Sequence, residues 1–316
     1  MQVTRLVDGP IVHPGTHPSI GVNIQGPSLV RVPAWVTEPL GAYYLYFADH
    51  KGTYIRLATA DRLAGPWRIH PPGSLDIADS RFPTEPPTMP DNAQETAESR
   101  RQTRSHGWVH EATTPHIASP DVHIDMSNQQ FVMYFHGLAR FDHQATRVAT
   151  SVDGIRFTAH EPLLGRTYFR VFRYQDWVYA LAMPGQFYRA RSWLGPFESG
   201  PRLFNPDMRH SAVRVVDTTL EVFWTQVGEA PERILRTTID LKPQWRDWTL
   251  GTTSEVLRPE RDWEGADQPL EPSIRSTAYG RVNQLRDPAL FEEDGRLYLL
   301  YAVAGESGIA VAEIRD

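Results

Sequence analysis

The chain of 316 residues contains no cysteine, which excludes disulfide staples, thiolate nucleophiles and thiolate metal sites. Lysine is almost missing as well: of 32 basic residues only Lys51 and Lys242 are lysine. Arginine carries the positive charge, and its planar fork is the better match for a carboxylate or sulfate, although a GC-rich genome would produce the same bias. No apolar run approaches the roughly 18 residues needed to cross a bilayer, so no membrane partner is expected. The net charge of −6 speaks against a nucleic-acid partner, because phosphate binding calls for a basic surface. The first residues show neither a basic n-region nor an apolar h-region, and a cytoplasmic location is expected.

What remains is short strands and turns. Hydrophobic residues make up 41% of the chain, alongside 26 Pro and 22 Gly, with 11% aromatics for bulk. Residues 286–301 state the pattern in full: a short apolar strand, an Asp294-Gly295 turn, and a returning strand rich in Tyr and Leu. Similar units begin at Gly26, Ser119, Tyr168 and His210. Each reads as three strands and a fourth, and radial repetition of such sheets hides most strand edges. Five units predict an all-β, five-bladed β-propeller over residues 1–316 as a single domain. The last unit lacks room for a fourth strand, so Val3 to Val7 is expected to pair with Gly308 to Ile314 and close the ring.

Two stretches break the regularity, at about 71–116 and 227–284. Connections this long are usually functional or disordered, and both are expected as walls or lids over one face. The first holds a candidate short helix at 91–100, with Asp91 or Asn92 as its cap, and then turns His-rich with His106, His110, Glu111 and His116. The second carries Trp245, Trp248 and Trp263 with Glu264, Asp267 and Glu271.

In a propeller the heads of the inner strands ring the axis on one face, and the turns after each second strand lie above that face. The first set gives Ser28, Asp121, Arg170, His210 with Arg209, and Asp287 with Arg286; the second gives His50, His136, the Met183-Pro184 turn, Gln226 and Glu306. Asp121, Asp287, Glu306 and His210 are candidate acids, bases or nucleophile activators, since carboxyls and imidazoles move protons. His50, His136, Arg170, Arg209, Arg286 and Gln226 are candidate substrate contacts. His50, His136 and His210 could instead hold a divalent cation. Each has a structural alternative: Asp287 could cap a strand entry, and the arginines could form an internal salt-bridge network rather than grip an anionic substrate.

At these residues the chain resembles the five-bladed propeller glycosidases around glycoside hydrolase families 43, 32 and 117. Ser119-Pro120-Asp121-Val122 is similar to the head of their second blade, Arg286-Asp287-Pro288-Ala289-Leu290 to their Asp-Pro strand heads, and Gly65-Pro66-Trp67 and Gly195-Pro196-Phe197 to their blade-ending turns. The resemblance implies a small carbohydrate substrate and carboxylate acid/base hydrolysis of a glycosidic bond. It also implies a base Asp at the head of blade one, where this chain has Ser28, and an acid Glu at the head of blade three, where it has Phe169-Arg170. Asp287, Glu306 or a histidine would then take over. The alternatives are a His-dependent or metal-assisted polysaccharide lyase acting on a uronic acid, and a sugar-binding propeller without chemistry.

Overall fold

A computed structural model describes residues 1–95, 100 and 106–315. Its strands form five antiparallel four-stranded sheets, the five blades of a β-propeller. Blade one is Gln25–Arg31, Tyr43–Ala48, Tyr54–Ala60 and Arg68–Asp76. Blade two is Ile117–Asp125, Gln130–Arg140, His143–Ser151 and the two-residue Thr158–Ala159. Arg170–Tyr174, Trp177–Ala182, Gln186–Ala190 and Glu198–Arg202 make blade three. Blade four is Met208–Val216, Thr219–Gln226, Ile234–Asp240 and Leu250–Leu257.

Blade five takes Arg286–Glu293, Arg296–Ala302 and Ile309–Arg315 from the end of the chain and Gln2–Arg5 from its beginning. Val3 lies opposite Ile314 in that pairing, which closes the ring as expected. Closure is also held by charge: Arg5 forks onto the buried Glu264 at 3.0 and 2.9 Å, and Tyr301 donates to the same carboxylate at 2.9 Å. The Asp294-Gly295 turn joins Glu293 to Arg296 with both central residues at positive φ, 51° and 72°. That is the turn whose twist matches its strands.

The core is divided between the blades. Tyr44, Tyr46, Phe131, Met133 and Phe135 pack between blades one and two, and corresponding clusters fill the other four interfaces. Neighbouring sheets thus bury each other's large side chains, the burial that stabilises the ring.

The two irregular stretches are shorter than their expected bounds, because Arg68–Asp76 and Leu250–Leu257 are outer strands of blades one and four. In the first, Asp91 and Asn92 form a turn and no helix starts there through residue 95; residues 96–99 and 101–105 lie outside the described part. A helix does form at Gly107–Thr113. In the second, Trp245 and Trp248 are buried between blades three and four, and Trp263 packs between four and five. These tryptophans are packing residues and not walls of a ligand site.

Candidate active site

Every inner strand enters its blade through one residue in the left-handed region: Gly26 (φ 63°), Ser119 (51°), Tyr168 (64°), His210 (41°) and Asp287 (48°). A register shift accompanies it in blades one, two, four and five. These five are the equivalent positions of the repeat. At blade one only glycine fits, since a Cβ on Gly26 would lie 3.0 Å from the Cα of Ser119. At the other four a side chain is held at unfavourable φ, a strain of order 1 kcal/mol each that surrounding structure must impose.

This register corrects the alignment drawn from sequence. Ser28, Asp121 and Arg170 stand two residues past the head, about 6–7 Å further along an extended strand. They line a cavity of about 360 Å³ with Ala212 and Ala289. Ser119, Tyr168 and His210 line a larger one, about 740 Å³, with His50, Glu111 and His136. Asp121 thus faces the smaller cavity, whereas Asp287 lines neither and is buried against Tyr168 and His210 of the larger one. The Asp121 carboxylate accepts from His123 Nε2 at 2.8 Å and from the Val171 N–H at 2.7 Å. Burial alone would raise it, yet His123 and Arg170 hold it below the usual carboxylate range. Arg170 is mostly spent too: Nε and Nη1 donate to the carbonyls of Ser211, Pro120, Ser119 and Phe169 at 3.0–3.3 Å, Nη2 is buried without a hydrogen-bond partner, and the guanidinium lies 4.0 Å from the Tyr168 ring.

Around the large cavity the predicted groups do converge. Glu306, fully buried, accepts from Asn23 Nδ2 at 2.6 Å, Arg286 at 2.7 Å and His50 Nδ1 at 3.1 Å. Burial pushes its carboxyl up, but His50, Arg286 and the Asn23 amide bring it down to about 2. Asp287 accepts from the Tyr168 hydroxyl at 2.8 Å, lies 3.7 Å from His210 Nε2, and keeps its second oxygen buried without a partner. Burial and the Glu306 charge push this carboxyl up to about 6. His136 and His210 flank Tyr168, ring centres 6.4 and 5.3 Å away. Burial, with the nearby cations, lowers His136 to about 3 and His210 well below the ordinary imidazole value, so both are neutral.

The arginines are paired internally. Arg209 forks onto Glu232, one bond at 2.9 Å, and Arg286 donates to Glu306 and to Gln284 at 2.9 Å. Gln226 accepts from Asn205 at 2.8 Å and does not line the cavity. His50, His136 and His210 share the cavity, but among the described residues no group of three or more His, Asp or Glu side chains is arranged to hold a metal ion.

Sequence reasoning missed Lys51, Tyr168, Glu232 and Asn23, and placed Glu111 only in a His-rich loop. Glu111 comes from the helix Gly107–Thr113, pairs with Lys51 Nζ at 2.7 Å and accepts from Ser276 Oγ of the second irregular stretch. Both irregular stretches thus reach the cavity. A usable signal stood at three of the five heads, where Gly26, Ser119 and Asp287 each directly precede a proline.

The chain is 33% identical over 319 residues to the uncharacterized protein R118 of Acanthamoeba polyphaga mimivirus, covering 93% of this chain and 84% of the relative. The two belong to one family. No family model matches the chain. Solved structures share its fold at low identity. A family 43 β-xylosidase/α-arabinofuranosidase from a compost microbial metagenome superposes with a TM-score of 0.58 at 12% identity, over 99% of this chain and 96% of that one. A structure from the family 130 of mannoside phosphorylases, which contains glycoside hydrolases targeting β-1,2 mannosidic linkages, gives 0.60 at 11%, over 99% and 94%. An endo-1,4-β-xylanase from Bacteroides thetaiotaomicron gives 0.57 at 12%, over 92% and 89%.

Proposed function

We propose that this protein and its viral relative are glycoside hydrolases whose acid and base come from blade five and its neighbour. One observation carries the reading. Two buried carboxyls, each hydrogen-bonded to a residue of the cavity lining, are driven apart: Asp287, on Tyr168, up to about 6, and Glu306, on His50, down to about 2. Such a split separates a proton donor from a permanent anion. Asp287, protonated in mild acid, gives its proton to the leaving glycosidic oxygen. Glu306 holds the Nδ1–H of His50, leaving Nε2 to take a proton from the attacking water. Water adds across the bond, one sugar gains its hydroxyl and the other its proton. The fold shared with carbohydrate enzymes supports this class.

The test is hydrolysis of an oligosaccharide and aryl-glycoside panel, read as new reducing ends, by the wild type and by Asp287→Asn. Release by the wild type and its collapse in the variant is the expected result; release that survives the substitution removes Asp287 from the role. A second reading rests on Tyr168 between two neutral imidazoles, which could deliver a base and an acid for β-elimination from a uronate. That reaction would announce itself by the ultraviolet absorbance of an unsaturated uronate.

A further inference from the structure

Resting on the hydrolase reading, we infer that the cavity floor accepts an uncharged glycosyl unit and rejects a uronate, and that Lys51 and Glu111 decide this. Among the described residues every cation around the floor already has an anion. Lys51 Nζ lies 2.7 Å from Glu111, Arg209 is forked onto Glu232, and Arg286 is on Glu306. Arg275 is engaged by the Pro206 carbonyl at 3.0 Å and by Asp207. A carboxylate brought to this floor would lose its water without gaining a free cation, and it would face Glu111, whose charge is sustained against burial by Lys51 and Ser276. Among the described residues the remaining rim cation is Arg166, which is exposed, where an ion pair is worth little.

The same floor is well made for hydroxyls. A sugar hydroxyl donates and accepts at once; Glu111 brings an acceptor to the cavity lining, and the buried Lys51 Nζ beside it, 2.7 Å away, fixes its charge. Two more buried nitrogens stand unpartnered: Nδ1 of His136, which lines the cavity, and Nε2 of His116, next to it but outside the lining. The rings of these histidines are 6.0 Å apart, and both are kept neutral by burial and by the neighbouring cations. His116 donates its Nδ1–H to the Thr114 carbonyl at 2.8 Å, so its free nitrogen is an acceptor. Ser276 holds Glu111 from the second irregular stretch, so the pair is set only where the two stretches meet.

The experiment measures binding of matched oligosaccharide pairs, glucose against glucuronic acid, galactose against galacturonic acid, and mannose against mannuronic acid, to the full chain silenced by Asp287→Asn. The neutral member of one pair is expected to bind at least about tenfold tighter than its uronate. Adding Glu111→Gln leaves Lys51 unopposed, and should invert that preference by weakening the neutral ligand and strengthening the uronate. Adding Lys51→Met should weaken the neutral ligand without admitting the uronate, which keeps the test alive if the glutamine variant misfolds. Tighter uronate binding before either change, or a ratio that Glu111→Gln leaves unmoved, overturns this inference alone. Failure of every sugar to bind a folded protein overturns both it and the hydrolase reading.

Discussion

Two tiers of side chains line the propeller axis, built from the same strands two residues apart, and they differ in how completely their polar groups are satisfied. The lower tier of Ser28, Asp121 and Arg170 is nearly closed: Ser28 Oγ accepts the Val122 N–H at 2.8 Å, Asp121 has two donors, and Arg170 spends Nε and Nη1 on carbonyls, leaving Nη2 alone without a hydrogen-bond partner. The upper tier of Tyr168, His210 and Asp287 is left short, with a buried carboxylate oxygen unmatched and imidazoles stripped of charge. Structure spends its polar groups; a site keeps them in reserve. The comparison locates chemistry above and support below, although both tiers looked alike in sequence.

Asp287→Asn should break the upper tier most. Activity is expected to fall by more than about a hundredfold, the scale of a lost general acid, while the protein becomes more stable. The sign follows from proton binding: folded Asp287 titrates at about 6 rather than 3.8, so the native state binds the extra proton. Stability falls as pH rises through that window, and the full penalty, on the order of 1–3 kcal/mol, is present at neutral pH. Asn cannot ionise and escapes it, which thermal melts at pH 4 and pH 7.5 would show as a gain only at the higher pH. In the wild type, kcat/KM should decline above about pH 6 as the acid loses its proton. An amide variant that melts lower at pH 7.5 would mean the carboxylate is tied into structure.

Glu306→Gln sharpens the contrast by attacking the neighbour whose shift has the opposite sign. Its carboxyl is lowered from 4.5 to about 2, so its contribution is complete above 4.5 and is lost as pH falls through about 2. Removing the charge leaves His50 without its anion and Arg286 with only Glu232, 3.7 Å away and already forked by Arg209. The variant is expected to lose stability at neutral pH and roughly tenfold or more in rate through a poorly held His50. With the like charge gone, the alkaline limb of the pH profile should also move to lower pH. A profile that stays in place would detach Glu306 from the titration of Asp287.

Asp121→Asn tests the lower tier, and here stability rather than rate should move. An Asn keeps one acceptor for the Val171 N–H but forfeits the charge facing His123 and Arg170, a cost of about 1–3 kcal/mol. The rate constant is expected to change by less than about threefold. A hundredfold loss would return Asp121 to the chemistry and make the two tiers one site.

The blades were legible because a period-2 apolar pattern and an Asp-Gly turn are local signals, and the ring closure followed from a last unit short of one strand. The cavity was half legible. His50, His136, His210, Asp287 and Glu306 came from assuming that repeat-equivalent positions meet at the axis, which they do. The misplacement of Asp121 and Arg170 has a definite cause: the left-handed head that fixes register is a Gly, a Ser, a Tyr, a His and an Asp in the five blades, and the proline that follows it in blades one, two and five is replaced by Phe169 and Ser211 in three and four. Lys51 and Glu111 lie 60 positions apart and meet only because a helix folds over the ring, a contact that no spacing rule contains.

Gln226 offers the smallest effect and the sharpest limit to the repeat argument. It ends the second strand of blade four, while His50 and Glu306 follow the second strands of theirs and His136 lies near the end of its own, so equivalence alone would put it in the site. Yet its amide oxygen is occupied by Asn205 at 2.8 Å, and it stands outside the cavity lining. Blade four differs because Asn205, in the connection from blade three, turns back on itself: its side-chain oxygen accepts the N–H groups of Asp207 and Met208 at 2.8 and 3.1 Å, fixing its amide nitrogen toward Gln226. One exposed hydrogen bond is all that Gln226→Ala removes, so stability should stay within about 0.5 kcal/mol of the wild type and kcat/KM should not change. A tenfold rise in KM at unaltered melting temperature would show that substrate reaches beyond the cavity wall to blade four, and that repeat equivalence had placed the residue better than the contacts of the free protein do.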